Sequence, residues 1–252
     1  MQEAADNQLV TRFREQDSRP DRVRLEGFHA LKHALRFGAE IEAVMSSDPV
    51  ELERLVHQLA PDLEDRVRGL TTVISDETYR MLGPYAHHTR VVALARRPRF
   101  DADEPLGRRD APLVLLEDPR HLGNLGAVVR VAAAVDAAGV LTTGHHDPWD
   151  PVAIRGSGGL HFALPVGQAQ RSDTQGRPLF ALDPDGEDLV AADLPADAIF
   201  AFGSERQGLT DDLLARADRK LRIPMRDGVS SLNLATSVSA VLFAWRLGSA
   251  SR

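Results

Sequence analysis

The 252-residue sequence contains no cysteine, which removes disulfides and thiolate metal sites from consideration and fits the cytoplasmic location expected for it. No apolar run approaches the length that spans a bilayer, and residues 1–20 are polar and charged, so neither a membrane anchor nor a signal peptide is expected. Lysine is almost missing: Lys32 and Lys220 stand beside 28 arginines, a bias that fits genome base composition better than design. There is no excess of positive charge either. The net charge is −7, with 17 basic and 20 acidic groups in residues 1–110 and 13 and 17 in residues 111–252. That balance argues against indiscriminate polyanion binding. It leaves room for RNA recognition through shape and a few placed arginines.

What is present is a long alternation of short apolar runs and helical patterns, enough to bury a real core. Residues 1–20 hold little that suits a core and are expected to form a mobile tail. Residues 21–96 read as a compact α/β module. EGFHALKHALRFG is a helix closing on Gly38, PVELERLVHQLA is an amphipathic helix with Pro49 in its first turn, and IEAVM, LTTVIS and RVVALA are strands. Residues 97–112, charged and with three prolines between Arg96 and Pro112, are the expected linker. Residues 113–252 form a second α/β series. Strands alternating with helices predict a mainly parallel sheet with its ligand site at the strand C-termini.

Three loops of this second series carry chemistry. The first opens EDPRHLGNLGAVVRVAAAVDAAG at Glu117. As an ordinary helix start, Asn124 is the N-cap, Gly126 allows close packing and Arg130 is solvated. Yet Arg130 lies among Ala127, Val128, Val129 and Val131, and a guanidinium in so apolar a helix usually has an anionic or carbonyl partner. The second, in IFAFGSERQGLTDDLL, has Gly203 and Gly208 bracketing a polar turn after a strand that ends at Phe202. It suits either close backbone approach to a ligand or a plain tight turn, with Glu205 free for a cationic group or for Arg206. It lacks the Lys-Ser/Thr of a P-loop. The third begins IPMRDGVSSLNLATSVSAVLFAWR at Ile223. Leu234, Val238, Val241, Leu242 and Trp245 make a buried helical stripe, and a serine can cap it, but Asn233 and the second serine have no structural task. Loops of this kind, each after a strand and each joining glycine to polar residues, converge at one sheet edge.

Taken in order, NLGAVVR, FGSERQGL and IPM…SLNLATSVS resemble the three signature motifs of the SpoU/TrmH family of RNA ribose 2′-O-methyltransferases, within the SPOUT superfamily. The resemblance runs from Leu113 to Trp245 and includes SGGLHFALPV, Ser157 to Val166. It implies an α/β fold in which a C-terminal SPOUT domain, with a mainly parallel sheet and a deep trefoil knot, follows a small N-terminal ribosomal-protein-like domain that binds the RNA substrate. The implied cofactor is S-adenosylmethionine, the implied partners are RNA and a second copy in a homodimer, and no metal or membrane is implied. Carried onto this chain, the catalytic positions are Asn124, Arg130, Glu205, Ser231 and Asn233. The cofactor-binding positions are Phe202, Gly203, Glu205 and Gly208 from the second motif, and Ile223, Met225, Ser231 and Leu232 from the third. One departure stands out: Arg120 to Gly123 separate Pro119 from Asn124, so a longer loop is expected, with no role assigned to Asp118 or His121.

The implied reaction is in-line attack of a ribose 2′-hydroxyl on a sulfonium methyl. Arg130 is too weak a base to take the proton and is assigned to the flanking phosphate and the developing alkoxide charge; a carboxylate, water or phosphate oxygen is left to accept the proton. The expected target is 23S ribosomal RNA, with transfer RNA as the alternative and a non-catalytic RNA-binding relative as a third reading. A nicotinamide-dependent oxidoreductase would need a G-x-G-x-x-G after its first strand, and none is present. The pairs His87-His88 and His145-His146 read as solvent-facing, Asp183, Asp185, Glu187 and Asp188 as a solvated turn, and the glycines at 156–159 as packing against a neighbouring subunit.

Overall fold

A computed structural model describes residues 2–83, 87–169 and 174–249. The chain divides into two compact units, residues 1–99 with 158–162, and residues 100–157 with 163–252.

The first unit begins with helix α1 (Gln2–Asp17) and continues through β1 (Arg22–Glu26), α2 (Phe28–Arg36), β2 (Ile41–Ser46) and α3 (Pro49–Leu59). It then runs through α4 (Glu64–Leu70), β3 (Thr71–Val73), α5 (Asp76–Leu82) and β4 (Val91–Arg96). Its four-stranded sheet has the order β1-β4-β2-β3, with β4 antiparallel to both neighbours and β2 parallel to β3. The helix starts follow local chemistry. Asp48 accepts from the amide of Glu51 at 3.0 Å ahead of Pro49, and Ser75 accepts from the amide of Thr78 at 3.0 Å. The expected tail is instead α1. Val10 and Phe13, one turn apart, bury themselves against Met45, Ile74, Tyr79, Leu82, Val92 and Leu94, and Arg24 pairs with Asp17 at the end of the helix. Composition counted too few apolar residues there to matter. Their spacing on one face is what places them in the core.

The second unit comprises α6 (Asp103–Gly107), β5 (Leu113–Leu116), α7 (Leu122–Ala134), β6 (Gly139–Thr142), α8 (Pro151–Ser157) and β7 (Val166–Gln168). It continues with β8 (Leu179–Asp188), β9 (Ile199–Phe202), α9 (Asp211–Arg216), β10 (Arg219–Arg222) and α10 (Leu234–Ser249). All six strands pair in parallel, in the order β10-β8-β9-β5-β6-β7. Strands β5, β6 and β9 are buried along their whole length, which is why each reads as an unbroken apolar run rather than an alternation. The segment expected as a linker, residues 97–112, contains α6, whose Pro105 and Leu106 are buried. What orders it is Arg177, only 2 % exposed. Its guanidinium donates to the carbonyls of Pro105 (2.9 Å), Arg108 (2.6 Å), Ala111 (2.6 Å) and Asp197 (2.9 Å), so one cation satisfies backbone that would otherwise be stranded. Burial, aided by the nearby Arg109, lowers the Arg177 pKa to about 10, which leaves it charged at neutral pH.

Helix α7 packs against α8 and α10. The contact with α8 needs glycine: a Cβ on Gly126 would lie 2.2 Å from the carbonyl oxygen of Ala153, and one on Gly156 would lie 3.0 Å from that of Gly123. Gly126 and Gly156 thus serve helix packing within the chain. On α10, Leu234, Val238, Val241, Leu242 and Trp245 are buried as their spacing predicts, whereas Phe243 and Leu247 are exposed. The strand expected at Ala163–Val166 begins only at Val166, because Leu160–Ala163 forms a 3₁₀ turn.

Candidate active site

At the C-terminal edge of the second sheet, the loops after β5, β9 and β10 meet. They are joined by side chains far apart in sequence. Glu205, in the loop after β9, accepts from the backbone amides of Arg120 (3.1 Å) and His121 (3.3 Å) and from the side-chain amide of Asn124 (3.0 Å). The side-chain oxygen of Asn124 in turn accepts from the side-chain amide of Asn233 at 3.1 Å. Burial alone would raise the Glu205 carboxyl, but the bonds from Asn124, its own backbone and the amides of Arg120 and His121 outweigh that and hold it below the ordinary carboxylate value. A second tie lies deeper. Glu117, 2 % exposed, accepts from both the amide (2.7 Å) and the hydroxyl (2.8 Å) of Thr210, which caps α9.

Two capping assignments change. Asn124 is not the N-cap of α7, which starts at Leu122 with His121 in the capping position. The helix therefore absorbs part of the segment between Pro119 and Asn124, leaving residues 117–121 as the connection from β5. There Asp118 takes a positive φ of 46°, pairs with Arg120 at 2.6 Å, and donates its amide to Thr143 Oγ1 at 3.1 Å. At α10 it is Asn233, not a serine, that caps: its side-chain oxygen accepts from the amide of Ala235 at 2.9 Å, and its backbone carbonyl accepts from Ser237 at 2.9 Å. Asn233 thus starts a helix with its oxygen and reaches Asn124 with its nitrogen.

The loop after β9 is a tight turn closed on itself, with Ser204 and Gly208 exchanging backbone hydrogen bonds at 3.1 and 3.0 Å. Gly208 has φ +68°, and a Cβ on Gly203 would lie 1.9 Å from the carbonyl carbon of Gly208. Gly203 thus lies in close approach to its own loop. The loop after β10, from Ile223 to Asn233, has no regular structure.

Together these loops wall a cavity of about 1540 Å³. Of the residues singled out in the sequence, Asn124, Glu205, Ser231 and Asn233 line it. So do Phe202, Gly203 and Gly208, and Ile223, Met225 and Leu232. Arg130 does not: it is exposed, makes no hydrogen bond or ion pair among the described residues, and stands six residues, roughly 120° of helix, around α7 from Asn124. The partner expected for its guanidinium is not found, because the buried face of α7 is formed by Leu125, Gly126, Val128, Val129 and Ala132.

Two contributors escaped the sequence reading. Glu117 gave no signal beyond a carboxylate after a buried strand. The other lies in β8, where the register against β10 jumps from Ala181–Lys220 to Glu187–Leu221, so residues 182–186 bulge out. Leu182, Asp183 and Pro184 of that bulge line the cavity, although Asp183 also accepts from the amide of Asp185 as the expected turn requires.

The lining has two chemical characters. Ile223 and Leu232 offer apolar surface backed by the buried Phe202 and Leu221, with Leu232 left 40 % exposed, while Glu205 and Asp183 place carboxylates on the cavity wall. Such a set fits S-adenosylmethionine, a flat adenine joined to cationic sulfonium and ammonium groups. Among the described residues no group of three His, Asp or Glu side chains is arranged to hold a metal ion, and no helix is long and apolar enough to cross a membrane.

A parallel sheet whose strand-end loops enclose such a cavity defines an α/β domain built to bind a nucleotide-like cofactor. More particularly, the model of the SpoU rRNA methylase family matches residues 111–243, and the chain belongs to that family. It is 31 % identical to an uncharacterised tRNA/rRNA methyltransferase of Synechocystis, over 87 % of this chain and 81 % of that one. It is also 31 % identical to the 23S rRNA (uridine(2479)-2′-O)-methyltransferase of Streptomyces viridochromogenes, over 61 % of this chain and 58 % of that one. Its fold is similar to the crystal structure of the SpoU methyltransferase AviRb from Streptomyces viridochromogenes in complex with AdoMet, with a TM-score of 0.77 at 24 % identity over 98 % of each chain.

Proposed function

We propose that this protein transfers a methyl group from S-adenosylmethionine to the 2′-hydroxyl of a ribose in RNA, and that its substrate is 23S ribosomal RNA. The observation that carries the reading is the side-chain chain Asn233–Asn124–Glu205, which fastens the three family motifs together on one wall of the cavity. The choice of 23S rRNA is supported by the Streptomyces viridochromogenes relative, whose name specifies that target.

When bound, S-adenosylmethionine supplies an electrophilic methyl group with a thioether as leaving group. The chain's own residues do the rest. Phe202, Ile223 and Leu232 hold the adenine on apolar surface, and Gly203 and Met225 offer backbone groups beside it. Asn124 and Asn233 fix the loops so that Glu205 presents negative charge that favours binding of the cationic cofactor. Ser231, on the cavity wall, is positioned to orient the reacting groups. Arg130, facing outward from α7, serves the RNA phosphate, not the cofactor.

The same reading gives residues 21–96 the task of gripping RNA and threads the C-terminal strands through a trefoil knot. It also makes a homodimer the working form, for which Phe243 and Leu247 on α10 supply exposed apolar surface.

The test is transfer of label from S-adenosylmethionine to fractionated RNA of a strain lacking the gene. Label in 23S rRNA supports the assignment. Label confined to transfer RNA replaces the substrate, and cofactor binding without label in any RNA replaces the reading with a non-catalytic one.

A further inference from the structure

We propose that the imidazole of His121 is the base that accepts the ribose 2′-hydroxyl proton; this rests on the reaction assigned above.

Among the residues that line the cavity, few can take a proton from an alcohol near neutral pH. Arg120, Arg206, Arg222 and Arg226 carry guanidinium groups, which stay protonated. Glu205 is engaged on both oxygens: Oε1 accepts from Asn124 and His121, and Oε2 from Arg120, so hydrogen bonds hold it in its charged, weakly basic form. Asp183 lies on the β8 bulge with Oδ1 taken by Asp185, and Asp227 stands in the exposed turn between β10 and α10. Ordinary carboxylates are roughly a hundredfold weaker bases than an imidazole. His121 is the one imidazole on this wall among the described residues.

Its placement is defined by the loop. The backbone amide of His121 donates to Glu205 at 3.3 Å, and its carbonyl accepts the first helical bond of α7, from Leu125 at 3.0 Å. The residue is therefore pinned at both ends of its peptide. Its side chain caps nothing, is exposed, and makes no hydrogen bond to the described residues. The His121 amide and the Asn124 side chain donate to the same Glu205 oxygen, Oε1, and both residues line the cavity. The segment Arg120–Gly123, which separates Pro119 from Asn124, is what brings a histidine here. The charged groups around it are Asp118, paired with Arg120 on its own loop, and, lining the same cavity, Arg120, Glu205 and Arg206, Asp183 on β8, and Arg222, Arg226 and Asp227 from the end of β10 onward.

The step balances as follows. The O2′–H bond breaks and its proton passes to an imidazole nitrogen. The oxygen's electron pair forms the bond to the methyl carbon, and the carbon–sulfur pair returns to sulfur, which becomes a neutral thioether. The imidazolium then gives its proton to water.

The experiment compares wild type with H121Q and H121A on the RNA that wild type methylates. Single-turnover rates are expected to fall about 100-fold in both variants, the low end of general-base effects. S-adenosylmethionine affinity should stay within about twofold, and the acidic limb of the rate profile should disappear. Free imidazole should raise the H121A rate at least about tenfold by replacing part of the lost base. A readout without cofactor accompanies these. The His121 ring resonances of wild type should shift on adding substrate RNA, and shift less with RNA carrying a 2′-deoxy target nucleotide. A variant rate within about threefold of wild type, with the acidic limb intact, overturns the proposal, since a base contributes far more than that. So does loss of cofactor affinity equal to the loss of rate, which would make His121 a structural support. If wild type methylates no RNA, the functional reading fails first and takes this proposal with it.

Discussion

The side-chain amide of Asn124 donates to Glu205 at 3.0 Å across 81 residues of sequence, and its oxygen accepts from Asn233 at 3.1 Å. One short side chain therefore holds three loops in register before any ligand arrives. Pre-organisation of this kind is what a reaction resting on positioning requires.

Replacing Asn124 with alanine removes its hydrogen bonds to Glu205 and Asn233, at about 0.5–1.5 kcal/mol for the neutral bond and about 1.5–3 kcal/mol for the one to the carboxylate. We expect S-adenosylmethionine affinity to fall at least about tenfold, measured by calorimetry, with far-UV dichroism unchanged. Asn124→Asp should be worse than alanine, because it sets a second carboxylate against Glu205.

The Glu205 pKa lies below its ordinary value of 4.5 in the folded chain, so its charged form favours the folded state. That contribution is fully present above 4.5 and is lost as pH falls through the depressed value. Glu205→Gln has no such titration and turns an amide NH₂ toward a backbone donor. The difference in melting temperature between wild type and Glu205→Gln should be constant from pH 7 to about 5 and shrink below about 4.3. A gap that does not change with pH would remove the charge from the account.

A methyl group on Gly203 would sit 1.9 Å from the Gly208 carbonyl carbon and 2.2 Å from the Leu209 amide nitrogen, both backbone atoms that cannot swing aside. Gly203→Ala is expected to displace the loop and cost about 1–3 kcal/mol, with cofactor binding weakened at least about tenfold. Chemical denaturation and calorimetry read the two effects separately.

Much of this architecture was visible in the sequence because the signals were local. The buried strands of the second sheet are continuous apolar runs, Pro49 announces its helix, and the α10 stripe from Leu234 to Trp245 has helical spacing. The glycines and polar residues at three strand ends were likewise read as one convergent site. What escaped depends on partners distant in the chain. Arg177 looks like any other arginine until four carbonyls from residues 105–111 and 197 surround it. Glu117 acquires its task only when Thr210 arrives, and Asp183 reaches the cavity only because β8 slips its register beside β10. Arg130 failed in the opposite way. Its apolar neighbours in sequence suggested an anionic or carbonyl partner, yet Arg130 is exposed, and of those neighbours only Val128 and Val129 belong to the buried face of α7.

Arg177 gives a test of stability alone. Arg177→Met keeps the apolar stem and abandons the carbonyls of Pro105, Arg108, Ala111 and Asp197. We expect a loss on the order of 3 kcal/mol in urea unfolding, with the segment 103–111 becoming accessible to protease.

The central claim is that the methyl group goes to a ribose oxygen, and the direct measurement is alkaline hydrolysis of RNA labelled by the protein from methyl-labelled S-adenosylmethionine. A 2′-O-methyl group removes the internal nucleophile that cleaves RNA in alkali, so the account predicts label in an alkali-resistant dinucleotide that yields a 2′-O-methyl nucleoside on full digestion. Label recovered in mononucleotides and traced to a base would contradict it.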